Sequence, residues 1–341
     1  MRDLLSNIKE NNFKRCYLFY GNEVYLKNLY EKKVKETLID ENFGIANFNI
    51  FEDKNVEVDK IIEYSQTLPF MAEKRLIISK NSGLFQNGRK NDSEKMALYI
   101  SKIPESTVLL FIEDEIDKRG KLYKAILKEG HCIEFKPPKE NDIIKWIVKN
   151  FKDNSINIEN SSAVYLIRTT GGNMENISSE ISKLVAFVGE RGKIDKNIID
   201  YVCVKSFETR IFDLVDAVGN MNTKIALNIY KNLILMKESP IMILSMIVRQ
   251  FRIIYQCKLL LNEMKDQNLI AQKIGQREFV VRECIKQSKN FSEDILKYAL
   301  SSCLDTDVAI KTGRINGELA LEILIVKFGG SVNMKEKSIL W

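Results

Sequence analysis

The sequence predicts an α/β domain built on a mainly parallel sheet, followed by helical structure to its end. Three observations carry this. Between residues 14 and 135 short apolar runs alternate with segments of helical spacing, the pattern of βαβ units with right-handed crossovers. The tandem prolines of "FKPPKEND" (135–142) then stop strand and helix alike, with charged residues on both sides. Beyond them only helical patterns occur.

The elements follow in order. "RCYLFYG" reads as a strand ending in a glycine turn, and "EVYLKNLYEKKVKETLI" as a helix through Leu26, Leu29, Val34 and Leu38. "NFNIF", "KRLIIS", "TVLLFIE" and "HCIEFK" are further strand candidates, with "DKIIEYSQT" and "SEKMALYISK" as helices between them. The unbroken apolarity of "TVLLFI" suits a strand covered on both faces. After the prolines come "ENDIIKWIVKNF", then "NSSAVYLIRTT" stopped by Gly171-Gly172, then "NMENISSEISKLVAFV" with Asn173 as N-cap. From residue 208 about six helices are expected. Ser239-Pro240 reads as a cap with proline at the first helical position, and Gly313 as a C-terminal stop. With 341 residues the chain exceeds one ordinary core. The expected division is an α/β domain over 1–137, a small all-α domain over 138–208 and a helical bundle over 209–341.

Composition narrows the function classes. Apolar residues make up 45% and charged residues 29%, as in ordinary globular chains. A net charge of +6 permits contact with a polyanion without demanding it. The six cysteines show no C-x-x-C pair, so buried reduced thiols fit better than disulfides or a zinc site. With His131 as the one histidine, a catalytic dyad or a His-rich metal site has almost nothing to rest on. No metal and no cofactor are expected. "MRDLLSNIKENNFKR" lacks the pattern of a signal peptide. The greasiest run, 241–261, carries Arg249, Gln250 and Arg252 near its middle and reads as a buried helix rather than a membrane span. The expected location is the cytoplasm.

One stretch raises the question of nucleotide chemistry. "LFYGNEVYLKN" occupies the frame of a phosphate-binding loop, G-x-x-x-x-G-K-[ST], between a strand and a helix. Gly21 and Lys27 keep that pattern, whereas Leu26 replaces the second glycine and Asn28 the hydroxyl. A β-carbon at position 26 obstructs the close backbone approach that phosphates need, and Asn28 offers a poor Mg²⁺ ligand. The strand "TVLLFIE" runs into Glu113-Asp114-Glu115, carboxylates that could hold a metal and polarise water. They equally suit a solvated turn, and the spoiled loop favours that reading. In the small helical domain, "GGNMENISSEISKL" resembles the lid helix from which ATPases of the AAA+ class offer an arginine to the nucleotide. Glu175 stands at the arginine's place. Loop, hydroxyl and arginine are missing together, so the nucleotide site is expected to be non-functional.

The motifs "LFYGNEVYL", "TLPFMAEKRLIIS", "FKPPKENDIIKWI", "GGNMENISSEISKL", "IFDLVDAVGN", "VRQFRIIYQCKLL" and "DVAIKTGRINGELALEIL" stand in order over about 310 residues. Together they resemble the delta subunits of bacterial DNA polymerase III clamp loaders. The resemblance implies an AAA+-like fold with a degenerate P-loop, a lid and a collar. It implies a subunit that opens the ring-shaped sliding clamp, the beta subunit, for loading onto primed DNA. The partner subunits, tau/gamma and delta prime, would join through the collar, and sister subunits would supply the ATP hydrolysis. No membrane partner is implied.

"SQTLPFMAEKR" (65–75) can be read physically beside this. Leu68, Phe70 and Met71 fall within four positions, next to a proline that stops helix propagation, which is how a peptide-like anchor is presented to a pocket. Their other reading is a cap on the domain's own core. By the resemblance Gln66 opens the clamp-binding element, Leu68 supports it, and Phe70 and Met71 fill the clamp's pocket. Methionine stands where many relatives carry an aromatic or leucine, and fills the same volume more flexibly. Arg249, Arg252, Lys311 and Arg314 are basic positions that could face neighbours or DNA, or simply solvent. Two other functions stay open on sequence alone. One is an active AAA+ ATPase with an atypical loop, the other a helical nucleic-acid-binding adaptor.

Overall fold

Strands that are apolar at every position need cover on both faces, and the first unit of the protein provides it. The computed structural model describes residues 2–39, 44–52, 54–190 and 192–329. The chain forms two compact units, Met1–Pro137 and Pro138–Trp341. In chain order the first contains α1 (Arg2–Glu10), β1 (Cys16–Tyr20), α2 (Val24–Leu38), α3 (Gly44–Asn47) and β2 (Phe48–Phe51). These are followed by α4 (Val58–Gln66), β3 (Arg75–Lys80), α5 (Lys90–Tyr99), β4 (Thr107–Glu113), α6 (Lys121–Glu129) and β5 (His131–Glu134). The five strands pair in the order β2-β3-β4-β1-β5, all parallel.

Alternation along the strands builds two half-cores. Cys16, Leu18, Tyr20, Ile77, Leu109 and Phe111 point to one face, against Ile61 of α4, Met96 and Tyr99 of α5, and Leu122 and Ile126 of α6. Tyr17, Phe19, Leu76, Ile78, Leu110 and Ile112 point to the other, against Leu4 of α1 and Val34 of α2. Every residue of β1 and of β4 is buried, so the register is fixed from both sides. The sheet's carboxyl edge, where open α/β folds bind ligands, is formed by the turns after β1 and β4.

The second unit contains α7 (Glu140–Asp153), β6 (Asn157–Ile158), α8 (Asn160–Thr169), α9 (Met174–Val188), β7 (Lys193–Ile194) and α10 (Lys196–Val202). It continues through α11 (Phe207–Gly219), α12 (Thr223–Leu235), α13 (Pro240–Glu263), α14 (Gln267–Ile274), α15 (Glu278–Ser288), α16 (Glu293–Lys311) and α17 (Gly317–Gly329). Two residues each of β6 and β7 pair in parallel, a ribbon too short to leave an alternating signal. The helices from α11 onward share one core around Phe251, Ile254, Leu233 and Leu324. Run 241–261 lies within α13, with Pro240 in its first turn. No helix among the described residues is long and apolar enough to cross a membrane.

Helix signals behave as their chemistry requires. Asn173 accepts hydrogen bonds from the backbone N–H groups of Glu175 and Asn176 at 2.9 and 3.2 Å, closing the start of α9. Gly171 and Gly172 both take left-handed φ angles, +69° and +71°, which ends α8. Gly313 does the same after α16, with its N–H and that of Arg314 donating to the carbonyls of Ile310 and Ala309.

Candidate functional site

The turn after β1 keeps a phosphate loop's shape, but its polar groups are committed internally. The Gly21 N–H donates to the Asp114 carbonyl at 3.2 Å, and the Glu23 N–H to the Phe135 carbonyl at 3.1 Å. Gly21 has φ +113°, and a β-carbon there would lie 2.4 Å from the Phe135 carbonyl oxygen. The need for glycine is thus explained by backbone packing alone. Leu26 turns toward the core on the α1/α2 face of the sheet, and Asn28 is exposed.

Lys27, in the first turn of α2, is only 2% exposed. Its Nζ pairs with the Asp114 carboxylate at 2.5 Å and donates to the Glu113 carbonyl at 3.2 Å. The ammonium that a phosphate loop would aim at its ligand is neutralised by the chain itself. The acidic turn also differs from a solvated one. Glu113 is buried, and its carboxylate accepts from the Ser82 N–H at 2.9 Å and the Ser82 hydroxyl at 2.6 Å. Burial pushes this carboxyl up, against the pull of the two Ser82 hydrogen bonds. Strand β4 is covered to its last residue, which is why Glu113 is enclosed while Asp114 and Glu115 reach solvent.

At the opposite edge of the sheet a different arrangement presents apolar groups outward. Helix α4 ends at Gln66, and Thr67 adopts extended backbone ahead of Pro69. Leu68, Phe70 and Met71 are 77%, 57% and 71% exposed, and Gln66 is exposed beside them. More than half of each of the three apolar side chains is open to solvent. The loop is fixed beneath them. Asn47, itself buried, accepts from the Phe70 N–H and donates to the Phe70 carbonyl, both at 2.7 Å. Arg75 donates to the Tyr64 carbonyl at the end of α4 and to the Ala46 carbonyl of α3, at 3.1 and 2.7 Å. The Thr107 hydroxyl donates to the Ser65 carbonyl at 2.8 Å. Met71 takes a left-handed φ of +48°, uncommon for a side chain of its kind.

In the second unit Glu175 is exposed in the first turn of α9. A carboxylate there complements the helix dipole and repels phosphate. Arg277 donates to the Gly172 carbonyl, and Arg282 forms a two-pronged pair with Glu140 at 2.7 and 3.0 Å. Of the basic positions singled out in the sequence, Arg249 donates to Gln276 and Lys311 pairs with Asp307 one helical turn away. Arg252 and Arg314 are exposed.

Comparison with known proteins follows this architecture. Residues 17–136 match the family model described as DNA polymerase III, delta subunit, and residues 208–328 match the model of that subunit's C-terminal domain. The chain belongs to the DNA polymerase III delta subunit family. It is 27% identical to DNA polymerase III subunit delta of Bacillus subtilis over 332 residues, covering 95% of this chain and 96% of that one. It is 22% identical to a probable delta subunit of Aquifex aeolicus over 298 residues, 84% of each chain. A solved structure of a Bacillus subtilis DNA clamp loader delta protein superposes with a TM-score of 0.72 at 27% identity, covering 96% of this chain and 99% of that one. The fold of an α/β domain followed by helices is shared with that delta protein.

Sequence reasoning about this delta-family chain found the outward-facing loop but missed what holds it. Asn47 lies 23 positions from Phe70, and no local pattern links them. Arg75 reads as one more basic residue opening a strand. The signal available was a charged residue, Arg75, directly ahead of the apolar run Leu76–Ile78, because such a group when buried must be paired.

Proposed function

We propose that this chain binds and opens the sliding clamp for loading onto primed DNA, without hydrolysing ATP itself. The single observation that carries the reading is the presentation of Leu68, Phe70 and Met71 to solvent on a turn fixed from below. An apolar knob of this kind needs a pocket on another molecule. Gln66, Leu68, Phe70 and Met71 form the clamp-binding element, with Phe70 and Met71 as anchors. Burying the two anchors contributes on the order of 3–6 kcal/mol before association costs. That is enough to select an open form of a strained interface that the clamp already visits.

The nucleotide site supports the second half of the reading. Gly21, Leu26, Lys27 and Asn28 make a degenerate loop in the first unit: donors are spent on the chain's own carbonyls and Lys27 is paired with Asp114. In the second unit, taken by itself, Glu175 puts a carboxylate where the resemblance expects an arginine. Fuel burning then falls to partner subunits. In this proposal residues 138–208 act as the lid and 209–341 as the collar that joins tau/gamma and delta prime. The assembled complex meets primed DNA, and the setting is the cytoplasm.

The test is capture of the chain by its own sliding clamp. Replacing Phe70 and Met71 together by alanine should abolish capture and lower the melting temperature only slightly, since both side chains are mostly exposed. Undiminished capture of that double variant refutes the anchor assignment.

A further inference from the structure

We infer that Asn47 is a positioning residue for clamp engagement, holding the anchor loop in its binding shape without touching the clamp. The inference rests on the clamp-binding reading above and adds to it a device that sets the loop's readiness.

The geometry is specific. A side-chain amide carries one acceptor and one donor pointing the same way, and Asn47 matches both to the N–H and carbonyl of a single residue, Phe70. It thereby treats the Phe70 backbone as a neighbouring strand would, while the Phe70 ring remains outside. Asn47 is 2% exposed, so a partner seated on the knob meets the ring and not the amide. Arg75 supports the arrangement by tying Ala46, the neighbour of Asn47, to Tyr64 near the loop's entry. Met71 follows Phe70 at φ +48°, a backbone state that a free chain leaves readily. Three features converge: a two-pronged hold on Phe70, a guanidinium joining the flanking elements, and a strained residue that needs such restraint. An exposed loop of this size would otherwise sample many shapes, and affinity would fall with the fraction of time spent in the right one.

The consequence is kinetic. Without the Asn47 amide the anchors are unchanged, so a bound complex should dissociate as before. Productive encounters become rarer in proportion to the lost population of the competent loop.

The experiment measures association and dissociation of the full chain on its immobilised clamp, alongside hydrogen exchange of the Phe70 amide. Asn47→Ala should slow association about tenfold with dissociation within about twofold, and Phe70 exchange should accelerate by a similar factor. Asn47→Asp keeps an acceptor for the Phe70 N–H but sets a second acceptor oxygen against the Phe70 carbonyl, so it should slow association at least as much as Asn47→Ala. Faster dissociation with unchanged association overturns the inference, as do unaltered rates in Asn47→Ala. If Asn47→Ala loosens the whole sheet, Asn47→Asp decides, and unaltered association in it overturns the inference. The Phe70/Met71 double alanine variant separates the two levels. If it binds normally, the clamp-anchor reading itself fails; if it does not bind while Asn47→Ala binds at unaltered rates, only the positioning role falls.

Discussion

Two carboxylates adjacent in sequence, Glu113 and Asp114, have opposite fates, and each yields a measurable consequence. Burial raises the Glu113 carboxyl above its ordinary value of 4.5, so the folded chain takes up this proton more readily than the unfolded one. Its stabilising contribution is full below that value and is lost as pH rises through the raised one. Glu113→Gln keeps an acceptor for Ser82 without the charge. Its melting temperature should therefore exceed that of the unaltered chain at pH 7, with the gap closing near pH 4; a constant gap contradicts this. Asp114 neutralises a lysine that has almost no solvent of its own. Asp114→Ala should cost about 1–3 kcal/mol in denaturant titration, below the full value for a buried pair because Asp114 itself is exposed. The thiols complete this scale. Burial pushes Cys132, Cys203, Cys284 and Cys303 up to about 12 and Cys257 to about 11, and raises Cys16 as well. Iodoacetamide at pH 8 should label the buried Cys16, Cys257, Cys284 and Cys303 slowly in the native chain and all six positions after unfolding; rapid native labelling of those four contradicts their burial.

At the scale of elements, the turn after β1 shows how a signature can survive for a different reason. Gly21 is demanded by its φ of +113° and the Phe135 carbonyl, so Gly21→Ala should destabilise the chain by on the order of 2 kcal/mol with no nucleotide present. Asn173→Ala should cost about 1 kcal/mol through the lost cap of α9, read in the same titration. Strong periodic elements were legible in the sequence: β1, β3 and β4 from their apolar runs, α13 from its length, α9 from its cap. Weak ones were not. α14 is eight residues, half of them polar, α1 is an amphipathic segment before any glycine or proline punctuation, and the β6/β7 ribbon is two residues per strand. Such elements exist because neighbours pack on them, as Ile270 and Ala271 of α14 do in the helical core of the second unit.

For the whole molecule, the alternation of strands and helices gave the α/β unit, since a parallel sheet covered on both sides writes its pattern into every strand. The candidate site was legible only in part. Leu68, Phe70 and Met71 stood out because three large apolar residues follow a helix stop, whereas Asn47 and Arg75 act across the fold, where sequence distance hides them. The same limit concealed the Lys27–Asp114 pair, 87 positions apart. Mixing the purified chain with its sliding clamp on a sizing column, with and without ATP, addresses the two halves of the proposal together. Co-elution that is indifferent to ATP and disappears in the Phe70/Met71 double alanine variant is the expected result. Co-elution that requires ATP, or ATP turnover by the chain alone, contradicts it.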